Sequence, residues 1–208
     1  MTQMNYMPPT DRPTGCLLRT TKLGECCSLA KDKLRTIIAP EDWDAELAKL
    51  PGGCIDMSDV VFSHYDQNGY GSCAMESWHK GVEVAYRAAG YDCPEFNPWF
   101  AYGIAVNWRG GPRTGTSIDE NFTLLSKIGC CPASVWPRST GPNKKASNDA
   151  YAAALNYRPL EGGDCANIAE VGSSLFERHP VIIGWSGHSE LLVGLLPGRK
   201  VRVCGSYG

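Results

Sequence analysis

The sequence predicts an α+β fold: a helical lobe in the N-terminal part, followed by an antiparallel strand lobe. Three observations carry this. Apolar residues recur at helical spacing in several segments between residues 73 and 176. After Pro180 the pattern changes to short runs rich in Val, Leu and Ile, broken by Gly and Pro, which is the signature of strands. The 208 residues, 43% hydrophobic and 20% charged, suffice for one large domain or two small ones with a real core.

The first 54 residues read as an N-terminal extension, an arm or pro-segment-like piece, ahead of a main domain over 55–208. Met1 to Gly15 is polar, proline-bearing and irregular, unlike a signal peptide. Ser28 is placed to cap a short helix carrying Leu34, Ile37 and Ile38, stopped by Pro40. A second helix opens on Pro40, Glu41 and Asp42, acids suited to a helix N-terminus. Its Trp43, Leu47 and Leu50 form a stripe that must pack on something, and Pro51-Gly52-Gly53 ends it.

Cys54 to Tyr65 reads as extended, and Asp66 to Ser72 as a turn. The strongest helix follows, with Met75, Trp78, Val82, Ala85 and Ala89 on one face and Gly90 beyond its end. Asn97-Pro98 starts another, carrying Phe100, Ile104 and Trp108, with Asn as cap and Pro at the first helical position. Ser117 to Glu120 has capping-box form and leads a helix that buries Ile118, Phe122 and Leu125. Ser147 caps an alanine-rich run to Tyr157, and Ile168, Val171 and Leu175 mark one more helix. Val181–Trp185, Glu190–Leu196 and Arg199–Cys204 are the expected strands.

Charge and hydropathy narrow the function. A net charge of -2 without a basic cluster argues against a nucleic-acid partner, and no apolar stretch is long enough for a membrane span. The ten cysteines include no Cys-x-x-Cys pair, and neighbours such as Cys26-Cys27 and Cys130-Cys131 are expected to point apart and chelate poorly. Most are expected to be reduced, half-buried small residues, with no cofactor and no metal; zinc binding through them is a minor alternative.

One cysteine stands where chemistry is favoured. Cys73 sits at the junction of a Gly-rich turn and a long helix, where unpaired N–H groups and the helix dipole favour a thiolate. Gly71 and Ser72 before it leave room for a substrate backbone. Of the four histidines, His188 leads into an apolar strand beside Gly187, which opens space by the ring. His79 lies well round the helix from Cys73, and His64 and His179 read as solvated.

Tyr65 to Ser77, with Gln67 six residues before Cys73, resembles the nucleophile segment of papain-like cysteine peptidases. Gly187-His188 followed by Val193-Gly194 resembles that family's histidine strand. Gly115 to Ile118, through Pro132 and Trp136-Pro137, looks like the middle region of bacterial members, so the likeness covers about Ile55 to Gly208 and points to a divergent member of bacterial or viral type. The resemblance implies a two-lobe papain fold and a peptide or protein substrate. Cys73 would be the nucleophile, His188 its imidazolium partner, and Gln67 an oxyanion-hole donor alongside the Cys73 N–H. Gly110-Gly111 or Gly115 would form a rim for the substrate backbone, or else simply stop a helix.

The chain also departs from the family. Ala74-Met75-Glu76 replace the usual Trp-Ala-Phe, and Tyr70 stands where secreted members place a disulfide cysteine, which fits a cytoplasmic or other reducing compartment. The 115 residues from Cys73 to His188 are short against the family's roughly 130–150. Only Gly184 to Gly187 join the histidine strand to the one before it. Gly205-Ser206-Tyr207-Gly208 matches the family's Asn-Ser-Trp-Gly, so glycine replaces the histidine-orienting Asn, and the strand lobe is expected to be truncated. The implied activity is a cysteine endopeptidase. The alternative is a weakened or inactive papain-fold protein serving a larger assembly, such as a virion, with residues 1–54 as its contact.

Overall fold

The helix that begins at Cys73 organises the molecule. The computed structural model describes residues 16–17, 22–63, 65–107, 111, 114–185 and 187–205. In chain order the strands are β1 (Ser28–Leu29), β2 (Ile55–Asp56), β3 (Gly163–Asp164), β4 (Val181–Trp185), β5 (His188–Leu196) and β6 (Lys200–Cys204). The helices are α1 (Trp43–Leu47), α2 (Cys73–Ala88), α3 (Pro98–Val106), α4 (Ile118–Ile128), α5 (Asn148–Ala154) and α6 (Ile168–Phe176). Apart from the two-residue strands β1, β2 and β3, this is the predicted order, helices first and strands last.

Sequence dictates most helix starts. The Asn97 side chain accepts the Trp99 N–H and Pro98 fills the first turn of α3. Ser117 and Glu120 form a reciprocal capping box at α4, and Ser147 and Asn167 accept N–H groups at the starts of α5 and α6. Gly90, at φ +83°, takes the left-handed position just past α2.

Helix α2 is walled by two cores. Met75 and Val82 pack with α3, α4 and α5 side chains such as Phe100, Tyr102 and Leu125. Val84 instead joins Leu191, Leu192, Val193 and Leu195 of β5. In the sheet, β5 is central and every neighbour is antiparallel. Leu191 and Leu192 pair with both β4 and β6, while Gly194 and Leu195 pair with both β2 and β6. β6 therefore has one edge of β5 to itself, and β4 and β2 share the other.

The extension differs from expectation at its start. Ser28 does not cap a helix: Ser28–Leu29 pairs in parallel with Gly163–Asp164, and a single 3-10 turn follows at Ala30–Asp32. Its hydroxyl instead donates to the Gly162 carbonyl. The Trp43, Leu47 and Leu50 stripe finds its partner within the chain, joining Leu175 and the β5 leucines in the strand-lobe core. The Trp43 ring lies on Gly172 of α6, where an added Cβ would stand 2.1 Å from ring atom Cζ2. Strand β5 also begins earlier than predicted, at His188 itself, because Trp185 pairs with it across β4. Trp108, Gly110, His64 and residues 206–208 lie outside the described residues.

Candidate active site

The turn before α2 is built by Asn68 and Gly69, both at positive φ (48° and 79°), with the Tyr70 N–H donating to the Gln67 carbonyl. Two successive left-handed residues make a primed turn, which explains Asn-Gly here. Gln67 is buried, and its Nε2 donates to the Tyr70 carbonyl at 2.8 Å. Ser72 is the N-cap residue of α2 and Cys73 its first residue, fully buried. The Ser72 hydroxyl turns inward and donates to Glu76 Oε1 at 2.9 Å, and the residue is fully buried.

Beneath Cys73 lies a buried polar network that sequence reasoning missed. Arg138 Nη2 approaches Glu76 Oε1 at 3.6 Å and also donates to the Asp66 carbonyl, so one guanidinium ties the Gln67 turn to α2. It stacks over Trp99, 4.2 Å from the ring centroid. Burial pushes the Glu76 carboxyl up to about 7 against the opposing pull of Arg138, Ser72 and Lys80. His79 is no partner for Cys73: its Nδ1 meets the Met75 carbonyl at 2.8 Å, and burial drives its pKa down to about 4.

His188 is fully buried at the start of β5, with the Trp185 ring 6.4 Å away by centroids. Its neighbour Ser189 donates to Ser77 Oγ at 3.3 Å, which fixes β5 against α2 one turn beyond Cys73. Lys80, a turn further on, donates to the Gly205 carbonyl. Glu190 brings Oε1 to 3.6 Å from His188 Nε2. The signal for Glu190 was available: it is an acidic residue in an otherwise apolar strand, two positions from His188 and so on the same face.

Cys16 and Leu17 carried no signal, yet they bond to backbone next to His188 and before α4. The Cys16 N–H donates to the Gly187 carbonyl at 3.0 Å and the Leu17 N–H to the Thr116 carbonyl at 3.1 Å. Cys16 pairs in parallel with Thr116 and antiparallel with Gly187. Thr116 makes the first of these bridges, and the predicted Gly115 is buried just before it. Burial, then repulsion from Cys73 and Asp119, pushes the Cys16 thiol up to about 12. A cavity of about 850 Å³ opens from here along α2, lined by Cys16, Trp78, Ile118, Ile182, Gly184 and Trp185 among others. Cys73, Gln67 and His188 stand outside its lining.

None of the ten cysteines is in a disulfide. Contrary to expectation, Cys26 and Cys27 do not point apart: their sulfurs are 3.7 Å from each other and, with Asp164, form one group with metal-ligand spacing. The loop folds both toward Asp164, whose Oδ2 accepts the Gly24 N–H. Among the described residues no helix is long and apolar enough to cross a membrane.

No family model matches the chain, and no curated protein does. Solved structures do. The crystal structure of xylellain, a cysteine protease from Xylella fastidiosa, superposes with a TM-score of 0.69 over 98% of this chain and 88% of that one, at 22% identity. Digestive procathepsin L2 from the larval midgut of Tenebrio molitor gives 0.68 over 95% and 69%, at 15% identity. ProCathepsin B S9 from Trypanosoma congolense gives 0.64 over 94% and 76%, at 12% identity. The chain has the papain-like fold.

Proposed function

We propose that the protein is a cysteine peptidase in which Cys73 attacks, His188 shuttles the proton and Gln67 helps bind the oxyanion. The observation that supports this most is the extended segment at Cys16 and Leu17. Backbone carbonyls of Thr116 and of Gly187, next to His188, hold this segment by two main-chain hydrogen bonds. A cleft that grips main chain beside a cysteine at a helix N-terminus suits amide-bond chemistry.

In that reading the Cys73 thiolate attacks the peptide carbonyl and the C–N bond breaks as His188 gives its proton to the leaving amine. The thioester left on Cys73 is then hydrolysed by water, which gives a proton back to His188 and frees the acid. The Cys73 N–H and the Gln67 amide steady the oxyanion, each donor being worth on the order of 3 kcal/mol. Residues 1–54 act as a pro-segment-like strap, with Cys16 and Leu17 in the place a substrate backbone would take. The apolar stripe that suggested an assembly contact is covered by α6 and the sheet.

Intact-mass labelling with low-dose iodoacetamide at pH 6 tests the reading, because an ordinary thiol near 8.5 is almost fully protonated there. One rapid adduct is expected, absent in Cys73→Ala and slowed in His188→Ala. Labelling spread evenly over several cysteines, or unaffected by His188→Ala, would refute it.

A further inference from the structure

We infer that Glu190 is the positioning residue for His188, filling the place left by the glycine at 205. The inference rests on the Cys73–His188 reading and deepens it. The family resemblance expects an Asn side chain at 205 to hold the imidazole; Gly205 offers none. Yet the corner is occupied. The register Leu191↔Cys204 sets Gly205 across from Glu190, and a Cβ built on Gly205 would stand 3.3 Å from Glu190 Oε1. The same oxygen is 3.6 Å from His188 Nε2, with the two side chains 1% and 0% exposed. A carboxylate from the strand's own face has taken the volume and the direction, and glycine at 205 is what makes room for it.

A buried carboxylate does more than an amide would. It can hold the ring by Nε2 as an amide would, and it also sets an acidic side chain beside the proton that His188 takes from Cys73 in the proposed reaction. The contact is slightly longer than a hydrogen bond, as catalytic contacts commonly are before substrate binds. Other charged or titrating groups at this corner come from α2, in Cys73 and Lys80, and from the arm, in Cys16. Lys80 is directed to the Gly205 carbonyl. The residues of β4 across from this stretch, Ile183, Gly184 and Trp185, carry no charge. Arg202 of β6 is turned away to Asp56 at 3.0 Å.

The test follows the rate of Cys73 alkylation by iodoacetamide against pH, on the full chain, by intact mass. Glu190→Gln keeps shape and fold while removing the charge. It is expected to raise the midpoint of the alkylation profile by about one pH unit, and to slow labelling at pH 6 about tenfold. Glu190→Ala should do the same, Gly205→Asn alone should also slow labelling by crowding the carboxylate, and the pair Glu190→Ala with Gly205→Asn should recover much of the loss. A merely structural glutamate would shift the melting temperature and leave the midpoint where it was. Two failures are distinguishable. If wild type labels at pH 6 in a His188-dependent way and Glu190→Gln matches it, the Glu190 assignment falls alone. If wild-type labelling ignores His188→Ala, the underlying pair falls and this inference with it.

Discussion

Glu76 makes the stability of the fold depend on pH in an unusual direction. It is fully buried below Cys73, faces Arg138 and Lys80, and accepts from Ser72. Burial dominates and raises its pKa from 4.5 to about 7. A carboxyl whose folded pKa lies above the unfolded one stabilises fully below the unfolded value, and that stability is lost as pH rises through the folded value. At about 1.36 kcal/mol per unit, the shift corresponds to roughly 3 kcal/mol lost between pH 4.5 and 8. Glu76→Gln removes the titration while keeping an acceptor for Ser72. Urea unfolding followed by tryptophan fluorescence, in reducing buffer and on a Cys73→Ala background, gives both stabilities at intervals from pH 4.5 to 8.5. The stability of the Gln variant relative to its parent should climb by roughly 3 kcal/mol across that window, whatever constant offset the lost Arg138 pairing adds. Parallel curves would refute the argument, since they would mean that Glu76 titrates alike in both states.

His79 supplies the opposite slope. Its pKa is lowered by burial from 6.5 to about 4, so its stabilisation is complete above 6.5 and roughly 3 kcal/mol is lost as pH falls through 4; His79→Gln should flatten that acid limb when the titration is carried down to about pH 3. Gly172→Ala forces a methyl into the Trp43 ring and should cost about 1–3 kcal/mol, read as a fall of about 2–4 °C in melting temperature per kcal/mol. Because Trp43 belongs to the extension, limited proteolysis of that variant should cut first within residues 22–54; unchanged cutting would count against the packing described. Leu17→Pro removes the N–H bonded to Thr116, worth about 1 kcal/mol, and should speed Cys73 alkylation about fivefold if the segment gates the cleft; an equal rate would remove the gating role.

Local signals carried the helices well. Asn97-Pro98, Ser117-x-x-Glu120 and Ser147 are caps whose chemistry acts within four residues, so the chain announces them. The Asn68-Gly69 turn and Cys73 at the head of α2 were legible for the same reason. Long-range partners were not. Ser28 looked like a cap because its hydroxyl suits one, but the partner that claims it is the Gly162 carbonyl, 134 residues away. Arg138 reaching the Asp66 carbonyl, and Leu17 reaching Thr116, are likewise products of tertiary packing that no local pattern encodes. Glu190 lies between the two cases. Its spacing from His188 was visible, while its meaning depended on the β5–β6 register that brings Gly205 opposite.

The segment at Cys16 and Leu17 has a kinetic consequence. It belongs to the same chain as the cleft, and further along that chain Ser28–Leu29 pairs with β3 and Trp43 packs on α6. Its concentration at the cleft is therefore set by the tether, in the millimolar range typical of short linkers, and does not fall when the protein is diluted. If the segment gates the cleft, a free peptide must compete with that local concentration to enter. In the proposed reading, two backbone hydrogen bonds, weak as separate contacts, thereby raise the concentration that a peptide substrate needs.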